Sequence, residues 1–261
     1  MALWLRFAHS GNEGFGTLNG TTIDVHAGDM FDGAQATGVT LALGDVALLT
    51  PCVPRNFFAL WNNFHAAAAK AGNAIPPEPL YLLKGVNSLL AHAQVIRSPA
   101  HYDGKVTYEG ELGIVIGKTA RHVSEADAAQ FIFGYTCVND VTAIDLINRD
   151  VSFAQWVRAK SFDTFGVFGP VIATGLDATK LSVRTLLNGR ERQNYPCSDM
   201  IFSPAAIVSR ISQEISLLPG DLIACGTSLG TGVLKSGSDV EVVIDGIGSL
   251  RNPFQTESVT T

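Results

Sequence analysis

Residues 108–117 read Y-E-G-E-L-G-I-V-I-G. Glu109 and Glu111 are two apart in a stretch whose composition favours a strand. Side chains alternate faces along a strand, so both carboxylates point the same way, while Leu112, Ile114 and Ile116 take the opposite, apolar face. Two neighbouring acids repel unless a cation lies between them, and a hard divalent metal is the natural partner. Asp140, in V-N-D-V-T at the end of a second strand-like run, is the best third ligand. Three carboxylates, with waters or substrate oxygens completing the shell, suit octahedral Mg²⁺ or Mn²⁺. The sequence near these acids holds no histidine, which argues against zinc. Taken alone, E-x-E also fits a solvated strand face.

Other residue types extend the chemistry. Lys160, in R-A-K-S-F-D, can neutralise a substrate carboxylate or a growing oxyanion, or it can be an ordinary surface lysine. Lys84 closes an apolar run and has a similar electrostatic reading, set against snorkelling at a strand end. Thr227, in C-G-T-S, offers a hydroxyl or a backbone N–H to a carboxylate. Gly226, Gly230 and Gly232 superficially look like a phosphate loop, but no G-K-S/T follows.

The elements that must position these residues are mostly strands. Residues 1–50 read as a small β-rich module with turn signals at Gly14-Phe15-Gly16 and Asn19-Gly20, and Pro51 and Pro54 mark its end. Helices are expected over 62–71, ending at Gly72, over 124–131 with Ser124 as cap, and over 204–213. Strands are expected at 80–83, 133–138, 171–174, 222–225, 239–244 and 247–250, with a hairpin over 181–193 around Asn188-Gly189. This pattern specifies a sheet-dominated α+β fold, with a catalytic domain over 51–261.

Composition sets the outer bounds. A chain of 261 residues with 46% hydrophobic and 16% charged residues can bury a large core. A net charge of −6 argues against a general nucleic-acid binder. Cys52, Cys137, Cys197 and Cys225 form no C-x-x-C pair and read as reduced, buried thiols. No 18-residue apolar run is long enough to cross a membrane, and no signal peptide is recognisable, so a cytoplasmic protein is the expectation.

Six segments together resemble the fumarylacetoacetate hydrolase (FAH) family. They are Y-E-G-E-L-G-I-V-I-G (108–117), G-Y-T-C-V-N-D-V-T-A (134–143), R-A-K-S-F-D-T-F-G (158–166), S-D-M-I-F-S-P (198–204), L-P-G-D-L-I-A-C-G-T (218–227) and D-G-I-G-S-L (245–250). The resemblance runs from about Arg55 to Asn252. It implies a mixed β-roll, a homodimer, and Glu109, Glu111 and Asp140 as ligands of Mg²⁺ or Mn²⁺, with Lys160 and Thr227 contacting substrate. Members of the family act on 2-oxo or 1,3-diketo acids.

The family's N-Y-x-x-H-x-x-E segment supplies a His–Glu pair for proton handling. Here the chain reads W-N-N-F-H-A-A-A (61–68), with His65 one residue early and Ala68 in place of its partner acid. His65 remains the candidate base, with Glu78 and Asp103 as substitute acids. Phe57, Phe58, Trp61 and Trp156 are candidates for gripping the far end of the substrate.

The resulting expectation is a metal-dependent C–C bond hydrolase of oxo acids, working through a metal-stabilised enolate in catabolism. The alternative is an isomerase or decarboxylase of 2-oxo-enoic diacids, of the aromatic-degradation type, with the same metal site. A non-catalytic metal- or ligand-binding homologue is the third.

Overall fold

The computed structural model describes residues 1–257. Its framework is a large mixed sheet. From one edge, the strands run Asp32–Ala42, Thr22–Asp29, Asn12–Asn19, Leu3–His9, Gly166–Ala173, Ile132–Asp140, Gly110–Ile116, Leu222–Ala224, Phe57–Trp61 and Leu80–Lys84. The N-terminal strands extend this sheet: Leu3 pairs with Ala173 and Trp4 with Ile172. A five-stranded sheet contains the Ser182–Leu187 and Arg190–Pro196 hairpin, then Asp239–Ile244, Gly248–Thr256 and Ile96–Ser98. A small three-stranded sheet joins Thr142–Ala143, Val106–Tyr108 and Gly232–Val233. The four α-helices among the described residues are α1 (His65–Ala71), α2 (Glu125–Ala128), α3 (Trp156–Lys160) and α4 (Pro204–Glu214).

Both faces of the central strands are buried, for opposite sets of side chains. Leu112, Ile114 and Ile116 join the larger core with Val183, Val242 and Leu250 of the five-stranded sheet and Ile207 and Ile211 of α4. Val115, Val138, Phe168 and Leu222 form a smaller core on the other face, with Phe57 and Ala59. Near-continuous apolar strands are what a sheet covered on both sides requires.

Local signals act as their chemistry predicts. Ser124 and Ser203 cap α2 and α4, accepting the N–H of Asp127 and Ala206. Asn188 and Gly189 both adopt positive φ, 52° and 73°, as a tight two-residue hairpin demands.

Two expectations are corrected. The helix expected from residue 62 begins at His65, because Asn62 is held at φ 57° and Phe64 is extended, bridging to Met200. The single strand expected over 108–117 breaks at Glu109. Val106–Tyr108 belongs to the three-stranded sheet and Gly110–Ile116 to the large one.

Candidate active site

The break at Glu109 is what brings the acids together. Glu109 donates its N–H to Asn139 Oδ1 at 3.0 Å and accepts the Asp140 N–H at 2.9 Å. The backbone thereby sets Asp140 beside Glu109. The next residue is pinned harder. Gly110 donates its N–H to Gln193 Oε1 at 3.0 Å, and its carbonyl accepts Thr227 Oγ1 at 2.9 Å and the Tyr195 hydroxyl. A Cβ at Gly110 would stand 2.0 Å from Thr185 Oγ1, so only glycine fits between the two glutamates.

Glu109, Glu111 and Asp140 each place a carboxylate oxygen within 4.8 Å of the others. Glu111 is fully buried; its Oε2 accepts the Gly226 N–H at 2.7 Å, while Oε1 has no hydrogen-bond partner among the described residues. Gly226 itself sits at φ 88°, in the left-handed region that favours glycine. Asp140 is also fully buried and lies between two ammonium groups. Lys160 Nζ is 2.6 Å from Oδ2, and Lys84 Nζ contacts Oδ1. Lys160 further donates to Glu109 Oε2 at 2.9 Å and to Thr142 Oγ1 at 2.8 Å. Thr142 in turn donates to Glu109 Oε1 at 2.9 Å.

The electrostatics follow from this packing. Burial, then the Asp140 and Glu109 charges, push the Glu111 carboxyl well above the usual range. Burial would raise Asp140 too, but the Lys160 and Lys84 ammoniums outweigh it and hold the carboxyl low. Burial alone would lower Lys160; the Asp140, Glu109 and Glu111 carboxylates outweigh it and raise the pKa. For Lys84 burial wins over the attraction of Asp140, and its pKa is lowered. A buried carboxylate oxygen without a partner is costly. It faces two further carboxylates in an all-oxygen donor set, and a hard divalent cation fits that set.

A cavity of about 550 Å³ opens on this cluster. Its ionisable wall residues are Glu109, Lys160 and Lys70, and Thr227–Thr231 form one side. Trp61 and Trp156 stand together at the wall with ring centroids 5.9 Å apart.

The expected residues are thus distributed unequally. Glu109, Glu111, Asp140 and Lys160 converge, and Thr227 lines the cavity. Its hydroxyl is committed, donating to the Gly110 carbonyl and accepting from Gln193 Nε2 at 2.9 Å. Lys84, read as a substrate contact, lies fully buried against Asp140 instead. His65 is exposed at the start of α1, while the cavity face of that helix is Ala67, Lys70 and Ala71. Glu78 lies in a different surface pocket with Arg210 and Glu214, and Asp103 is exposed. Phe57 and Phe58 are core residues with no exposure, whereas Trp61 and Trp156 reach the cavity. Thr142 and Gln193 were not anticipated. Thr142 was within reach, since it follows Asp140 by two residues in V-N-D-V-T. Gln193 joins from another sheet and leaves no local signal.

Comparison with known proteins bears on the whole chain. The family model "Fumarylacetoacetate (FAA) hydrolase C-terminal" matches residues 51–255, and "Rv2993c-like, N-terminal" matches residues 3–51. Oxaloacetate tautomerase YisK of Bacillus subtilis is 35% identical over 81% of this chain and 74% of its own. The crystal structure of 2-hydroxyhepta-2,4-diene-1,7-dioate isomerase from Mycobacterium marinum superimposes with a TM-score of 0.90 at 36% identity, covering 98% of this chain and 99% of that one. Maleylpyruvate hydrolase from Sphingobium sp. SYK-6, solved with manganese(II) and pyruvate, gives 0.80 at 26% identity over 99% and 100%. With a family model spanning most of its length and relatives of this similarity, the chain belongs to the fumarylacetoacetate hydrolase family.

Proposed function

We propose that this chain is a divalent-metal-dependent enzyme acting on 2-oxo or 1,3-diketo acids through an enolate, and that its reaction is keto–enol isomerisation or decarboxylation rather than C–C bond hydrolysis. The observation that carries the metal-dependent reading is the unpartnered Glu111 Oε1, buried in a cluster with Asp140 and with Glu109, which lines the cavity. These three residues would hold Mg²⁺ or Mn²⁺. Bound there, the cation supplies Lewis acidity to the carboxylate and ketone oxygens of the substrate.

The rest is done by the chain itself. With all three carboxylates ionised and both lysines protonated, the cluster carries one net negative charge. Lys84 sits behind Asp140 and contributes charge only. Lys160 reaches the cavity wall and sets its ammonium where negative charge grows on the substrate oxygen. Thr142 holds the Lys160 ammonium and the Glu109 carboxylate in register. The backbone of Thr227 to Thr231 lines one side, and the Trp61–Trp156 pair limits water on the other.

Hydrolysis needs a base that activates water. Of the three ionisable groups on the wall, Glu109 is committed to the acidic cluster, Lys160 to its carboxylates, and Lys70 is a lysine with no carboxylate partner among the described residues to make it a base; exposed His65 does not line the cavity. Decarboxylation makes no such demand, because departing CO2 leaves its electron pair on the enolate; isomerisation needs a group to take and return the proton on the carbon beside the ketone, but no activated water. The oxaloacetate tautomerase and dienedioate isomerase relatives support this choice, and the maleylpyruvate hydrolase supports hydrolysis as the second reading. The chain is further proposed to work as a cytoplasmic homodimer.

The test is turnover of oxaloacetate, acylpyruvates and unsaturated 2-oxo diacids with Mg²⁺, with Mn²⁺ and with chelator, following keto and enol forms and products. Metal-dependent interconversion or decarboxylation supports the proposal. Metal-dependent release of a cleaved acid establishes hydrolysis instead.

A further inference from the structure

The charge balance of the acidic cluster leaves one question about the substrate. A divalent cation added to a net charge of −1 gives +1, which one carboxylate neutralises. Any second anionic group on the substrate needs a cation of its own.

The cavity wall has one. Lys70 lies on the face of α1 formed with Ala67 and Ala71, at spacings of three and four residues that align along a helix. Lys160, the other wall cation, is shared among Glu109, Asp140 and Thr142, whereas Lys70 makes no ion pair among the described residues. Two amides accompany it on the wall. Asn73 Nδ2 donates to Asn62 Oδ1 at 3.3 Å, and Asn62 Nδ2 donates to the Ala74 carbonyl at 3.0 Å. Each amide nitrogen retains a second N–H. The end of α1 is fixed as well: Gly72 is left-handed at φ 69°, and the Asn73 N–H donates to the Ala68 carbonyl at 2.9 Å. Trp61, Trp156, Ile144 and Leu229 supply apolar wall in the same cavity.

We infer that Lys70, with the Asn62 and Asn73 amides, is a subsite for the second carboxylate of a 2-oxo dicarboxylic acid whose hydrocarbon spacer lies along the apolar wall. This rests on the reading of Glu109, Glu111 and Asp140 as the site for the oxo-acid end. The Ala67 and Ala71 side chains leave the spacer room. Lys70 is a specificity residue in this account, not a proton carrier. A lysine in the last turn of a helix also complements the helix dipole, so the test must separate recognition from a structural role.

The experiment is calorimetric binding to the Mn²⁺-loaded protein of chain-length-matched pairs: 2-oxoglutarate against 2-oxopentanoate, 2-oxoadipate against 2-oxohexanoate, 2-oxopimelate against 2-oxoheptanoate. At the length that spans the cavity, the diacid binds about tenfold tighter than its monoacid, as one charge-assisted contact provides. In Lys70→Ala that ratio falls to near one with monoacid affinity unchanged, in Lys70→Glu it inverts, and Lys70→Arg retains it. A helix-dipole role would lower thermal stability and leave the ratio where it was. An unaltered ratio in Lys70→Ala and Lys70→Glu overturns the subsite. Failure of every oxo acid, mono or di, to bind the loaded wild type overturns the oxo-acid reading beneath it and the subsite together.

Discussion

Lys84→Met removes one of the two counter-charges of Asp140 while keeping the volume of the stem. In the wild type Lys84 Nζ and Asp140 Oδ1 are in contact, and both side chains have no exposure. The ammonium also lies 5.8 Å from the centroid of the Phe57 ring. Solvent cannot replace it. Breaking a buried pair by deleting one partner costs about 3–5 kcal/mol, chiefly because a buried charge is left uncompensated. Lys160 still holds the other oxygen of Asp140 at 2.6 Å, which argues for the lower end, about 3 kcal/mol. For a chain of this size that is a fall in Tm of roughly 6–12 °C. The sign with metal is opposite. The variant cluster carries two net negative charges instead of one, so saturating Mn²⁺ raises Tm by more in Lys84→Met than in the wild type. Differential scanning calorimetry with Mn²⁺ and with chelator reads both effects. A metal-free variant within about 2 °C of wild type, or a Mn²⁺ increment no larger than the wild type's, refutes Lys84 as the buried counter-charge.

Three further outcomes follow from the same geometry. Thr142→Val deletes the hydroxyl that links Lys160 to Glu109, and weakens Mn²⁺ affinity about 10–100-fold by titration calorimetry while the fold survives. Burial pushes the Cys52 thiol up to about 12 and Cys197 likewise, and all four cysteines are free and buried. A disulfide reagent therefore labels none of them in the native protein and four after denaturation. Burial also lowers the His92 pKa below its usual 6.5, and its Nδ1 accepts the Arg251 N–H at 3.1 Å, which requires the neutral ring. The unfolded chain then binds the proton more readily, so this contribution is fully present above the unfolded pKa and is lost as pH falls from there through the lower folded pKa. Urea denaturation between about pH 7.5 and 5.5 shows a smaller loss of stability in His92→Asn than in wild type.

The acidic cluster was legible in the sequence because its information is local. Two glutamates two residues apart in a strand-forming run, and an aspartate at the end of another, are local patterns; alone they also fit a solvated face, and the six family-like segments around them favour the metal site. The strand break at Glu109 was not legible, because it comes from pairing on two different sheets. His65 was misplaced for a related reason. The helix was read from residue 62, but positive φ at Asn62 and an extended Phe64 delay it to residue 65. With that start, the cavity face is Ala67, Lys70 and Ala71, and His65 faces away. Lys84 looked like any lysine closing an apolar strand. Only the pairing of Leu80–Lys84 at the sheet edge beside Phe57–Trp61 carries it beneath Asp140. The short helix Trp156–Lys160 carries no capping signal, having Gln155 without a side-chain cap before it, so its two cavity residues were singled out by type and not by element. Gln193 orders Gly110 across 83 positions of sequence, a distance no local pattern spans.

The central claim is that Glu111, with Glu109 and Asp140, binds a divalent cation. Its most direct test is Mn²⁺ titration of wild type and Glu111→Gln, followed by electron paramagnetic resonance of free Mn²⁺. The amide preserves the shape and can still accept the Gly226 N–H, so the fold is kept while a charged ligand is lost. The account predicts one tight Mn²⁺ per wild-type chain and binding at least about 100-fold weaker in the variant. Equal stoichiometry and affinity in the two proteins would contradict it.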